Sequence, residues 1–269
     1  MGEREFEQAF VHSYEIVQLE KDYGFFTEKA LQETLVVCQF NETTFEAYDC
    51  VGEIDFLRHC NKFYTTAIWT ATPMALGFIL ILCPKKFPLC FSWAITTAMT
   101  ASFIFAIYPV APPRLVEDLK IFDSLAVLSG VHVYGLDPKI ALGNPYAAMP
   151  SVHTAWSFIT HMNILIAVYH NVKHHWGKKR FVAWMAGAWI GTIWYPLLTV
   201  YIIVVSGNHY WSDALAGVVL SLCCYVLCYP FRNYGRMHKL EKIVHGDLYD
   251  GPAYSLIEDD KDSPEFDDL

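Results

Sequence analysis

Five apolar segments of membrane length follow one another along the chain. They cover residues 64–83, 89–110, 153–170, 181–206 and 213–229. A helix of about 20 apolar residues spans the hydrocarbon core of a bilayer, because each residue adds about 1.5 Å to its length. Inside a bilayer every backbone polar group needs a partner, so such spans pack together as helices. The sequence therefore predicts an all-α integral membrane protein whose core is a bundle of transmembrane helices.

The regions around the bundle differ in composition. Residues 1–63 are polar with apolar residues at helical spacing, which predicts amphipathic helices on the bilayer surface or docked on the bundle. The bundle is assigned to residues 64–230, and residues 231–269 form an acidic tail that we expect to be disordered. The net charge of −9 reflects mainly this tail. Basic residues occur only in short flanks, so the chain shows no nucleic-acid-binding pattern.

The distribution of Lys and Arg predicts the orientation in the membrane. Residues 84–86, residues 171–180 and the segment after the last span are rich in these residues, whereas residues 111–152 and 206–212 are poorer in them. Cytoplasmic loops carry the excess of positive charge. We therefore expect a multi-pass protein with a cytoplasmic tail and with residues 111–152 and 206–212 on the luminal or extracellular face.

Two local features have alternatives that the sequence leaves open. The span at residues 153–170 contains Ser157, Thr160 and His161, so we expect it to face other helices, with His161 as a packed polar contact. An odd number of spans places residues 1–63 on the luminal side. In an oxidising compartment the cysteines of that region, which are Cys38, Cys50 and Cys60, can include one disulfide.

The first candidate for chemistry is a His-x-x-x-Asp pair at the start of the last span. If a helix begins with Asn208 as its N-cap, His209 and Asp213 lie one turn apart on one face. The carboxylate then holds one imidazole nitrogen and leaves the other to act as a nucleophile or base. The alternative is that the pair only caps and solvates a helix end.

The second candidate is the segment Pro150-Ser151-Val152-His153. Ser151 is a good N-cap residue, and a helix N-terminus offers free N–H groups to a phosphate. His153 in the first turn is placed to protonate a leaving oxygen. The alternative is a capped helix with an interfacial histidine.

The third candidate is Arg114, which follows two prolines at the exit from the second span. A guanidinium binds phosphate oxygens in a bidentate manner and keeps its charge when partly desolvated. The alternative is an arginine that reaches towards lipid headgroups.

Together these motifs resemble the type 2 phosphatidic acid phosphatase superfamily. Its three motifs are Lys-x6-Arg-Pro, Pro-Ser-Gly-His and Ser-Arg-x5-His-x3-Asp. The patterns at Ala111–Leu115, Asn144–Trp156 and Gly207–Gly217 are most similar to the branch that includes inositol phosphorylceramide synthase. The run Glu15–Gln32 also looks like the approach to that branch's first span, so the resemblance covers most of residues 12–230.

The resemblance implies a role for each site residue. His209 takes the phosphoryl group as a phosphohistidine, Asp213 orients it, and His153 protonates the departing alkoxide. Arg114 and Ser151 hold the phosphate oxygens. No cofactor or metal is required. The implied substrate is a lipid or isoprenoid phosphate reached from the bilayer, with the site on the non-cytoplasmic face.

The sequence leaves three functions open. Water as acceptor makes the protein a lipid phosphoesterase, and an alcohol makes it a headgroup transferase of the inositol phosphorylceramide synthase type. The third possibility is a catalytically inactive lipid-binding scaffold. The oligomeric state is not predicted.

The sequence also departs from the superfamily pattern. The Lys of the first motif and the Arg of the third are replaced by Ile107 and Ile203, and the Gly of the second by Val152. Lys120 or Lys139 is a hypothetical substitute for the missing cations. Since the superfamily core usually has six spans, we expect five to six transmembrane helices. Residues 115–128 are expected to form either an interfacial helix over the site or a plain surface helix.

Overall fold

The computed structural model describes residues 3–42, 47–129, 144–173 and 178–229. The predicted tail and Lys139 lie outside these ranges. The described helices and strands, in chain order, are α1 (Glu3–Asp22), α2 (Glu28–Glu33), β1 (Val36–Phe40), β2 (Ala47–Gly52), α3 (Ile54–Leu82), α4 (Phe87–Ile107), α5 (Ser124–Ser129), α6 (Val152–Val172), α7 (Lys178–Val205) and α8 (Trp211–Cys228).

Four of the described helices are long and apolar enough to cross a membrane. They are α3, α4 together with the short 3-10 turn before it, α7 and α8. This confirms an all-α integral membrane protein. The predicted number of five to six spans is not confirmed, because α6 is not among these four helices. Its sequence carries a row of polar side chains, which lowers its mean hydropathy.

Helix α6 lies at the centre of the bundle and packs against α3, α4, α7 and α8. Its buried side chains include Ser157, Thr160 and His161. The Thr160 hydroxyl lies 3.0 Å from that of Thr72 on α3, and His161 Nδ1 lies 2.7 Å from Thr192 Oγ1 on α7. The expectation that this segment faces other helices, with His161 as a packed polar contact, is therefore confirmed.

The N-terminal region contains the two expected helices and one element that the sequence analysis does not predict. Helix α1 ends just before Gly24, whose φ of +75° favours a glycine. After α2, strands β1 and β2 pair as an antiparallel hairpin. Helix α3 therefore begins at Ile54, ten residues before the predicted start at 64. The β-branched pair Val36-Val37 favours a strand, a local signal that the helical pattern of residues 1–63 conceals.

A disulfide joins the two strands of this hairpin, between Cys38 and Cys50. Cys60 is a free, buried thiol on α3. Closing a loop of this length restricts the unfolded chain. We expect the double change of Cys38 and Cys50 to serine to lower the free energy of unfolding by about 3 kcal/mol. Thermal unfolding in detergent measures this effect, and Cys60→Ser is the control that leaves the disulfide in place.

The described residues between α4 and α6, which are 108–129 and 144–151, lie at one end of the bundle. The expected helix over residues 115–128 is interrupted. A 3-10 turn at Glu117–Leu119 and helix α5 are separated by residues 120–123, and the first of these, Lys120, has a φ of +51°. Leu119, Ile121, Phe122 and Leu125 are all buried. This segment is therefore packed on the bundle at one edge and is not a separate surface helix.

Candidate active site

Three loops meet at the same end of the bundle. They follow α4, precede α6 and join α7 to α8. Arg114 N donates to the Gly207 carbonyl at 3.0 Å, and Ser151 N donates to the Asp213 carbonyl at 3.0 Å. Gly207 has a φ of +71°, and a Cβ there would lie 2.7 Å from the side chain of Ile121. Backbone hydrogen bonds thus hold the three predicted motifs together, and the one between Arg114 and Gly207 needs a glycine.

The His209 side chain is buried between α8 and the loop before α6. Its Nδ1 lies 2.8 Å from the Ala148 carbonyl and 3.4 Å from Asp213 Oδ2. A carbonyl oxygen only accepts, so Nδ1 carries the proton. In the neutral ring, Nε2 then keeps its lone pair. Nε2 is buried and has no hydrogen-bond partner among the described residues. A buried, oriented nitrogen with a free lone pair is suited to nucleophilic attack.

The predicted start of the last helix is wrong. Its N-cap is Tyr210, not Asn208, and the helix begins at Trp211. The Tyr210 N–H donates to Asp213 Oδ2 at 2.9 Å, which ends the extended segment and starts the helix there. His209 therefore precedes the helix, and Asp213 reaches back from its first turn. Asn208 instead accepts from Arg114 Nε at 3.0 Å.

The Arg114 side chain is buried beside His209. Only 4% of it is exposed, so it does not reach towards lipid headgroups as in the alternative interpretation. A second nitrogen, Nη1, donates to Asp123 Oδ2 at 2.7 Å. Asp123 Oδ1 accepts from the N–H of Ala126 at the start of α5. Two side-chain acceptors therefore fix the orientation of the guanidinium.

The first turn of α6 supplies the second imidazole. Ser151 is the N-cap, as predicted, and its Oγ accepts from the Thr154 N–H. His153 Nε2 lies 3.1 Å from the Tyr64 carbonyl, and its ring stacks on the Tyr64 ring with centroids 4.0 Å apart. The centroids of the His153 and His209 rings are 5.8 Å apart. Tyr64 on α3 therefore holds His153 beside His209.

A cavity of about 300 Å³ brings Arg114, His153 and His209 together. Asp213 lies behind His209 and is fully buried. Ser151 is also fully buried and does not line the cavity, since its hydroxyl is used in capping. Four of the five predicted site residues are thus assembled around one imidazole, whereas the Ser151 side chain lies outside the cavity.

The cavity has a polar and an apolar end. Asn144 and Asn208 join the charged and imidazole groups at the polar end. The apolar end lies between α3, α4 and α6 and is lined by Ile68, Trp69, Ala98, Phe105 and Trp156. Such a cavity fits a ligand with a polar head and an apolar body.

The cavity is poor in positive charge. Arg114 is the only Lys or Arg among its described lining residues, and Lys120 does not line it. Ile107 is 63% exposed on α4, and Ile203 is packed in the core at 1% exposure. Neither position thus contributes a cation. The described residues also contain no cluster of three or more potential metal ligands.

Helix α8 approaches the N-cap of α6 closely at Gly217. A Cβ on Gly217 would collide with the Ser151 carbonyl oxygen. We expect Gly217→Ala to push the first turn of α6 away, destabilise the protein by about 1–3 kcal/mol and lower turnover at least about tenfold. Melting temperature and turnover measure the two effects. Gly187→Ala is the matched control, because a Cβ there meets nothing within 4 Å.

Sequence reasoning did not find several groups that orient the site. Asp123 and Asn208 hold Arg114, Tyr64 holds His153, and the Ala148 carbonyl holds His209. A backbone carbonyl leaves no signal in a sequence. Asp123 and Tyr64 lie in stretches whose patterns predict only an interfacial or surface helix and a membrane span.

Comparison with known proteins identifies a family to which the chain is similar. A sequence model described as the PAP2 superfamily matches residues 14–227 of the 269. The match spans α1 to α8 and includes every residue that lines the cavity. No curated protein and no solved structure matches the chain.

Proposed function

Because this chain belongs to the PAP2 superfamily of phosphatases and phosphotransferases, we propose that it cleaves a lipid-like phosphoester through a phosphohistidine on His209. The observation that carries this proposal is the free Nε2 of His209. It is buried, it has no partner among the described residues, and it belongs to a ring that lines a cavity with Arg114 and His153.

The first chemical step forms a bond between His209 Nε2 and phosphorus. The Ala148 carbonyl and Asp213 hold the Nδ1 proton and stabilise the positive charge that develops on the ring. Arg114 neutralises charge on the phosphate oxygens. The bond between phosphorus and the ester oxygen breaks, and His153, which takes up a proton beside the negative charge of the bound phosphate, gives that proton to the oxygen.

The second step releases the phosphoryl group. Neutral His153 takes a proton from water or from an alcohol, whose oxygen attacks phosphorus while the bond to His209 Nε2 breaks. His209 is regenerated and His153 is protonated again for the next turnover. Water yields hydrolysis, and an alcohol yields transfer.

A headgroup transferase, as in the inositol phosphorylceramide synthase branch, is the second candidate. The observation that favours it is the scarcity of positive charge. The one cationic side chain lining the cavity in the described residues, Arg114, is already paired with Asp123. A phosphodiester carries one negative charge and needs less compensation than a dianionic monoester.

We also propose that the site faces the lumen or the cell exterior. The Cys38–Cys50 disulfide supports this side, because such bonds persist in oxidising compartments. The disulfide hairpin follows α2, whose Gln32 side chain bonds to Phe122 and Val205 at the same end of the bundle. Among the described residues, Lys85 and Lys86 join α3 to α4, and Lys173 and Lys178 lie at the end of α6 and the start of α7, at the helix ends opposite to the cavity.

The test is turnover by the full-length protein in detergent. Labelled lipid phosphomonoesters and phosphodiesters are supplied with and without inositol or another alcohol, beside His209→Ala. Release of inorganic phosphate from a monoester, or of the phosphorylated headgroup from a diester, supports the phosphoesterase, and transfer of the label to the alcohol supports the transferase. Absence of His209-dependent turnover on every substrate indicates the lipid-binding scaffold and contradicts the enzyme.

A further inference from the structure

Two glutamates of the N-terminal helices, Glu20 on α1 and Glu28 on α2, bind the first turn of α8. Glu20 Oε1 accepts from both the N–H and the hydroxyl of Ser212, each at 2.7 Å. Glu28 Oε1 accepts from the N–H of Trp211 at 3.2 Å. Both glutamates have no exposed surface. They therefore satisfy free N–H groups at a helix N-terminus whose own N-cap side chain is a tyrosine.

The second oxygen of each carboxyl group points to a shared proton. Glu20 Oε2 and Glu28 Oε2 are both buried without a donor among the described residues. The two carboxyl groups lie close enough to interact, and this contact favours the protonated form of Glu28. Two ionised carboxylates in contact repel each other strongly when buried. One proton between them removes the repulsion and provides a partner for both oxygens.

Other acidic groups lie close to the Glu20 and Glu28 carboxyl groups. On α8, Asp213 interacts with Glu20 and with His209, and the phenol of Tyr210 interacts with both glutamates. Ser13 on α1 contacts Tyr210. The groups that act on Glu28 are Glu20 and backbone N–H groups, with no Lys or Arg among them. Burial, followed by the bond to Glu20, raises the pKa of Glu28 to about 9.

Building on the proposed function, we infer that Glu20 and Glu28 are positioning residues. By sharing one proton they hold the first turn of α8, and with it His209 and Asp213, in the geometry for phosphoryl transfer. Trp211 and Ser212, whose N–H groups they bind, lie directly between His209 and Asp213 in the chain. Asp213 also binds Tyr210 N and, through its carbonyl, Ser151 N. A shift of this turn therefore moves both imidazoles of the site.

The shared proton makes the site sensitive to alkaline pH. The folded protein keeps the Glu28 proton up to about pH 9, whereas the unfolded chain releases it near the ordinary value of 4.5. Between these values the folded state binds more protons, so stability falls as pH rises through this window. The contribution is complete below 4.5 and is lost by about 9. Activity is lost when the pair ionises fully.

The experiment compares Glu28→Gln and Glu20→Gln with Glu28→Ala and Glu20→Ala in the full-length protein. A glutamine keeps the acceptor oxygen and replaces the shared proton by an amide N–H. Glu33→Gln, on the exposed side of α2 with a side chain 50% exposed, is the matched control. The melting temperature in detergent and kcat and KM for a labelled lipid phosphate are measured from pH 6 to 10.

We expect the wild type and Glu33→Gln to lose melting temperature as pH rises and to lose kcat near pH 9, at nearly constant KM. Glu28→Gln flattens both profiles, and Glu20→Gln moves both losses to lower pH, because burial alone still raises the pKa of Glu28. The alanine variants lower kcat at least about tenfold at every pH, because a misplaced catalytic group is costly. Glutamine variants with an unchanged pH profile, or alanine variants that lower only the melting temperature, would overturn the inference.

The same measurements separate this inference from the proposed function. Melting profiles need no turnover, so they test the shared proton in a protein without phosphatase activity. If the wild type shows no His209-dependent turnover, the proposed function fails. If turnover depends on His209 but all four glutamate variants match the wild type, only the positioning role fails.

Discussion

Replacing His209 by alanine is expected to lower kcat by at least about 10³-fold, because the bond between nitrogen and phosphorus can no longer form. The ring lies in a buried position, held through Nδ1 by Ala148 and Asp213. No other described histidine has the same arrangement at the cavity, since His153 is held by Tyr64. We therefore expect no other side chain to replace it.

The phosphohistidine itself provides a second readout. Brief incubation with a substrate labelled in the phosphoryl group should leave an acid-labile, alkali-stable label on the wild type. His209→Ala should carry no label. His59→Ala is the control, because His59 is exposed and its ring binds the Asp55 carbonyl, away from the cavity. A label of the same amount on His209→Ala would disprove the nucleophile assignment.

Arg114→Ala is expected to lower kcat/KM by about 10²–10³-fold, comparable to the loss of a preorganised donor to transition-state charge. The effect is large because Arg114 is the only Lys or Arg that lines the cavity in the described chain. Arg114→Lys keeps the charge but loses the fork that binds Asn208 and Asp123 together. We expect it to recover only part of the activity.

The loss should appear mainly in kcat, since a guanidinium fixed at the equatorial phosphate oxygens stabilises the transition state more than the bound substrate. Steady-state kinetics on the same lipid phosphate measure it. Arg58→Ala removes an exposed arginine that pairs with Asp55 on α3, so it controls for loss of charge at a distance from the cavity. If Arg114→Ala and Arg58→Ala had the same turnover rate, the Arg114 guanidinium would have no part in binding the phosphate.

The bundle was largely predictable because apolar length is a property of each segment by itself. Four of the five predicted spans correspond to helices that are long and apolar enough to cross a membrane. The polar residues of α6 correctly indicated a helix that faces other helices. The N-terminal hairpin was not predicted, since the helical pattern of residues 1–63 concealed the strand signal of Val36-Val37, which pair with Val51 and Gly52.

The site was predictable in part for the same reason. The spacing of His209 and Asp213 and the capping chemistry of Ser151 are local, and the structure contains both contacts. The predicted N-cap at Asn208 was wrong, because Arg114, from another loop, binds the Asn208 side chain. The direction of the Ser151 hydroxyl likewise depends on capping and not on the cavity.

The sequence by itself determined which segments are long and apolar enough to cross a bilayer and which side chains are candidates for phosphoryl chemistry, because hydropathy and side-chain chemistry belong to single residues and short spacings. Only the tertiary structure decided that Ala148 and not a side chain is nearest to His209 Nδ1, and that Glu20 and Glu28 hold the turn that follows it. Those contacts join residues far apart in the chain, and the free energy of burying polar groups selects their partners only once the chain is folded.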